Sequence, residues 1–199
     1  ILIMTLFFAS IDTGNPPSEI SPDTDMDVRE IKQYYGSCLE FATDEAVYEL
    51  SLHGGYIDPA GSPFYNEPAI SSYTEKGGDN VPIYLNGENN FDFPTIEDME
   101  KRLEKMILVR FQDCLDLGAF RDQGIDVEGP DVDFSTGYFD SPLVSAEAEI
   151  FHSIIATTVN YPLTITKDNT RSEIEKFTYR APFRFKQVYD SITLSAGGH

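Results

Sequence analysis

Val144-Ser145-Ala146-Glu147-Ala148-Glu149-Ile150 places an apolar side chain at every second position and Ser or Glu between them. Side chains of a strand point alternately to opposite faces, so this stretch predicts a strand with one dry and one wet face. Upstream the period is three to four. Ile31, Tyr35, Cys38, Ala42 and Ala46 line one side of a helix predicted over 27–52, with Gly54 and Gly55 as its stop. Thr95-Ile96-Glu97-Asp98 reads as a capping box. It opens a second helix to about Leu117, whose stripe is Met99, Leu103, Met106, Ile107, Phe111 and Cys114 and whose stop is Gly118. Downstream, Ile154 to Ile165 and Glu173 to Phe185 supply strands around the turn Lys167-Asp168-Asn169-Thr170, and Val188 to Leu194 a final short helix. The expectation is an α+β domain: two packed helices followed by an antiparallel β-sheet.

The front of the chain has a different character. Ile1 to Ser10 carries no charge in a protein of 199 residues with formal net charge -20. Such a strip enters a bilayer, a neighbouring subunit or the protein's own core. It is shorter than the roughly 20 apolar residues that a spanning helix needs. No basic region precedes it and the chain starts at Ile, which points to a processed or truncated chain rather than an intact signal. Periodicity leaves three readings open: the end of a longer membrane or pilin-type helix, a strand lent to a neighbour, or a buried strand. Gly14, Pro16, Pro17 and Pro22 give the following residues linker composition. The expected organisation is a hydrophobic arm over 1–11, a linker over 12–26 and a globular domain over 27–199.

With 34 acidic against 14 basic residues the surface repels nucleic acid, which needs clustered Lys and Arg. Apolar residues at 41% suffice for a packed core and exclude a disordered acidic chain. From Tyr56 to Pro94 the sequence is rich in Gly, Pro, Asn and Tyr, and predicts a long irregular excursion with one short strand around Val81 to Leu85.

Cys38 and Cys114 are the two cysteines, and each sits on the apolar stripe of its own predicted helix. If the stripes face each other the sulfurs meet as a disulfide; otherwise they are two buried thiols. The apolar strip suggests export, and the disulfide is the reading adopted.

The chemistry-bearing residues do not form a recognised site. His53, His152 and His199 stand before a Gly pair, in a predicted strand and at position 199, with no ligand spacing. Asp23-Thr24-Asp25-Met26-Asp27 resembles the start of a calcium loop, but Val28 and Tyr34 occupy the positions that need Gly and Glu, so these acids are read as a helix cap. Asp126, Glu128, Asp131 and Asp133 around Gly129-Pro130 read as a solvated turn before a surface cation site. Serine-hydrolase, zinc-protease, phosphate-loop and dinucleotide motifs are absent. No catalytic residue, metal or cofactor is expected.

Ser37-Cys38-Leu39-Glu40, Gly54-Gly55-Tyr56-Ile57-Asp58-Pro59, Cys114-Leu115, Tyr161-Pro162-Leu163-Thr164-Ile165 and Pro182-Phe183-Arg184 follow one another in an order that resembles a family of uncharacterised exported archaeal proteins. The resemblance covers about Val28 to Ile192. In that family a hydrophobic, type IV pilin-like N-terminal helix precedes a linker and a soluble domain; here only the Ile1 to Ser10 remnant of such a helix stands at the front. The resemblance implies export, membrane or filament association and a place at the cell surface, with no activity to carry over.

The function expected is that of a non-enzymatic extracellular structural protein, a pilus-like filament subunit. Its partners would be copies of itself, assembled through Ile1, Leu2, Ile3, Leu6, Phe7 and Phe8, with membrane contact through the same strip. The alternative is a membrane-tethered ectodomain that binds a ligand or partner through Tyr56, Tyr65, Tyr73 and Tyr84, since tyrosines supply rigid contact area with a polar tip. An enzyme with an unrecognised site is the third reading.

Overall fold

In the computed structural model, residues 22–70, 73–83, 93–132 and 142–196 are described. The proposed arm over 1–11, the linker up to residue 21, Tyr84, Asp133 and His199 lie outside them.

Helix α1 spans Pro22–Leu52. It starts five residues before the expected Asp27, so 22–26 are helical rather than linker. Proline suits a first helical turn, where its missing N–H is not needed. At the other end Gly54 N–H donates to Ser51 O and Gly55 N–H to Leu50 O, the paired bonds of a Schellman stop. Gly55 has φ of 94°, and a Cβ there would stand 2.7 Å from both Met99 Sδ and Pro94 Cγ. Only glycine fits both demands.

Helix α2, Ile96–Cys114, opens with the capping box read from the sequence: Asp98 N–H donates to Thr95 Oγ1 and Thr95 N–H to Asp98 Oδ2. It ends at Cys114, three residues before the expected Leu117, because Leu115 is already extended; Gly118 lies in the turn beyond.

The main sheet is built on one long hairpin, β5 (Ile155–Lys167) with β6 (Thr170–Ala181), antiparallel across the turn at Asp168 and Asn169. Both turn residues have positive φ, 46° and 68°, which matches the twist of a two-residue hairpin. Strands β3 (Asp126–Glu128) and β4 (Ser145–Ile150) lie end to end along the other side of β5. Pro162 stands in this central strand where proline is normally excluded. It falls where β4 pairing ends at Asn160 and β3 pairing has yet to begin at Thr164, and where two residues of β5 face one of β6. The missing N–H of Pro162 thus falls at an irregularity of the ladder.

Val144, Ala148 and Ile150 are buried and Ser145, Glu147 and Glu149 exposed, as the alternation predicts. Ile155, Val159, Tyr161, Leu163 and Ile165 of β5 continue the dry face, against which α1 and α2 pack as one layer. The expected stripes of both helices are in the core; Cys114 is partly buried. The domain is therefore α+β, with two helices packed on an antiparallel sheet.

Helix α2 also seals the edge of β4. Glu100 Oε1 accepts the Ile150 N–H at 2.8 Å and Glu104 Oε1 the Ala148 N–H at 3.3 Å. Four helical residues rise about 6 Å and two strand residues about 6.6 Å, so carboxylates one turn apart match alternate strand amides. An otherwise open edge is satisfied without another strand.

Three further assignments differ from expectation. The strand expected near Val81 is half of a hairpin, β1 (Tyr73–Lys76) with β2 (Asp79–Pro82), turning on Gly77 and Gly78. Strand β6 ends at Ala181, and Phe185 begins helix α3 (Phe185–Ala196) instead of closing a strand. His152 lies in the turn between β4 and β5, where Phe151 N–H donates to Ile154 O, and is exposed.

Candidate docking groove

The end of α1, the start of α2 and the start of α3 converge without closing on one another. Between them lies an open cavity of about 410 Å³, lined by Ser51, Gly54, Phe93, Pro94, Met99, Phe183, Arg184, Phe185, Val188 and Tyr189. The Schellman stop fixes one wall by turning the chain sharply after Leu52. Thr95 fixes the second by capping α2 directly after Pro94. The third is α3, whose Phe185 and Tyr189 face the core while Val188 is 58% exposed. Arg184 is the charged residue in a lining otherwise dominated by aromatic and aliphatic groups. On a chain of net charge -20 this is an apolar exception.

A second apolar feature runs along α1. Tyr34, Phe41, Tyr48 and Leu52 recur at intervals of seven, seven and four on one helix face, and Phe41 and Tyr48 are 55% and 60% exposed. Tyr34 leans edge-on against Phe120 at 5.4 Å. In the sequence, acidic and polar residues surround this stripe and break up its period.

Of the four tyrosines expected to form a partner surface, Tyr84 lies outside the described residues, and Tyr56, Tyr65 and Tyr73 differ in exposure. Tyr56 is 7% exposed, with its ring 4.6 Å from the Arg102 guanidinium, and cannot face a partner. Its burial has a cause: Glu67 Oε1 accepts from Arg102 Nε, Glu67 Oε2 accepts the N–H groups of Ile57 and Asp58, and Arg102 Nη1 donates to Gly55 O. This network pins the whole loop after α1 onto α2. Tyr65 is half-buried, its phenol pushed up by burial, and its carbonyl accepts from Lys105 Nζ. Tyr73 is exposed on β1.

Cys38 and Cys114 form a disulfide that ties the middle of α1 to the last residue of α2. Asp126 and Glu128 alternate with buried Val127 on β3, and Asp131 is exposed beyond it. Among the described residues no group of three or more His, Cys, Asp and Glu could hold a metal ion, and no helix is long and apolar enough to cross a membrane.

Burial perturbs several groups elsewhere. It raises the carboxyl of Asp44, with help from neighbouring Glu40, and that of Glu104, whose Ala148 hydrogen bond opposes the shift. It also pushes the Tyr35 phenol up to about 12 while that phenol donates to Asp116 O at 3.1 Å. These groups serve packing at the helix–sheet interface. Comparison with family models, curated proteins and solved structures finds no match, so the groove stands on its own geometry.

Proposed function

We propose that this chain is a non-enzymatic structural protein of the cell exterior that assembles with copies of itself by burying the strip Ile1 to Ser10. The observation that carries the reading is a complementary pair: a charge-free strip in the sequence and an open apolar groove on an otherwise acidic domain. Each 100 Å² of apolar surface removed from water contributes about 2.5 kcal/mol toward the cost of association. The disulfide supports an oxidising compartment, where such bonds persist. Deleting Ile1 to Ser10 tests the reading. Polymers seen by sedimentation should disappear while circular dichroism and the thermal transition of the domain persist; unchanged polymers would refute it.

The groove favours one second reading, a tethered ectodomain that binds a ligand, since small-molecule sites occupy roughly 300–1,000 Å³. On that reading the full chain stays monomeric and an apolar probe binds the groove whether or not the strip is present.

A further inference from the structure

We infer that the open face of the main sheet pairs with the same face of a second copy, across a two-fold axis running along β5 and independently of the strip. Helices α1 and α2 cover the dry face, and the ladder register sets three columns of side chains on the opposite one. Glu149, Ala156 and Arg180 share one row, Glu147, Thr158 and Thr178 the next, and Ser145, Asn160 and Lys176 the third. Carboxylates therefore stand on β4 and cations on β6, with neutral side chains between them on β5.

These charges are not used inside the chain. Glu147, Glu149, Lys176 and Arg180 are exposed, and the ion pairs among the described residues leave all four out. On a chain with 34 acidic against 14 basic residues, two cations outside every ion pair are unusual.

Charge selects the occupant. A partner must set cations over β4 and carboxylates over β6 at the same height, and this face is itself such a pattern. Turning one copy about an axis along β5 brings Glu149 of each over Arg180 of the other, with Glu147 diagonal to Lys176. A two-fold axis across the strands would stack carboxylate on carboxylate. A charge-free segment such as Ile1 to Ser10 offers neither column a counter-charge.

The contact centres on Thr158. Farther along, Arg171 is taken by Glu173 at 3.0 Å, and Glu128 would meet Glu173. Stacked sheets cross at about 30°, which carries that end apart. The whole three-strand face measures about 43 Å by 14 Å, or about 600 Å² per copy, the lower edge of what specific interfaces bury. The dimer is accordingly weak, and its charges set orientation more than affinity. Being isologous, it joins two chains and stops.

Cross-linking of the full chain tests this, because both native cysteines are in the disulfide and an added thiol is unique. Residues of β5 on the axis face their own counterparts. Thr158→Cys should therefore link to the same residue of a second copy through a bismaleimide spanning about 8 Å, since stacked sheets lie about 10 Å apart. Lys101→Cys, exposed on α2, sets the background. Added to Thr158→Cys, either Arg180→Glu or Glu149→Arg should lower the linked dimer about tenfold, because the axis counts each change twice and like charges then face each other. Both changes in one chain restore the match and should restore linking. Circular dichroism checks folding, and Ala156→Cys replaces Thr158→Cys if that variant does not fold. Linking at background level would overturn the inference, as would single reversals that link like the parent or a double reversal that links no better than the singles. Loss of linking on deletion of Ile1 to Ser10 would assign the contact to assembly through the strip and overturn it as well.

Discussion

Glu67 holds the guanidinium of Arg102 from a position 35 residues earlier in the chain, and does so with a carboxylate only 6% exposed. Its second oxygen takes the Ile57 and Asp58 amides. Removing one member of a buried pair leaves the other charge uncompensated, which costs about 3–5 kcal/mol. Glu67→Leu should destabilise the domain by that amount in denaturant unfolding and loosen the loop over 56–70. A cost below about 1 kcal/mol would show that the network adds little beyond packing.

The Cys38–Cys114 disulfide closes a separation of 76 residues. In the chain-entropy account a loop of that size is worth roughly 4–5 kcal/mol. Cys38→Ser with Cys114→Ser should lower stability accordingly. In unreduced, unfolded protein, intact mass after alkylation should show no added label; two labels would contradict the bond.

Tyr35 is fully buried, and its phenol, raised to about 12 chiefly by burial, donates to the Asp116 carbonyl. Tyr35→Phe keeps the ring and removes one hydrogen bond, a loss of about 1 kcal/mol. The midpoint of thermal unfolding should fall by roughly 2–4 °C. In alkaline spectrophotometric titration of the folded parent, this phenol should ionise after the exposed tyrosines.

Glu104 gives the pH dependence its sign. Burial raises its carboxyl in the folded state, so its contribution is fully present below the ordinary glutamate value and is lost as pH rises through the raised one. Asp44 acts in the same direction. Relief of repulsion on a chain of net charge -20 adds to both. Lowering pH from neutral into the upper carboxylate range should therefore raise the thermal midpoint. Asp98 works oppositely, since the Thr95 hydroxyl holds its carboxyl low and its contribution disappears only as pH falls through that depressed value. Glu104→Gln, which keeps an oxygen for the Ala148 amide, should flatten the rise. Equal slopes in parent and variant would remove Glu104 as a cause.

Local signals were legible in the sequence. Thr95 and Asp98 announce the start of α2 because a capping box lies within four residues, and Val144 to Ile150 announce β4 because its two faces meet different solvents. The cysteine pair follows from helix stripes that share one core. Other features depend on residues far apart. Tyr56 reads as a surface aromatic until Arg102 and Glu67 are placed around it. Gly77 and Gly78 carry a hairpin turn, but their strand Tyr73–Lys76 is exposed throughout, so no alternation marks it. The groove was hidden for the same reason: Ser51, Pro94 and Val188 come from three separate element ends and become neighbours only in the fold.

The central claim is self-association through apolar burial, and sedimentation velocity of the unreduced 199-residue chain over a wide concentration range tests it most directly. The account predicts a sedimentation coefficient that climbs with concentration as subunits associate. A single 22.3 kDa species at every concentration would contradict it.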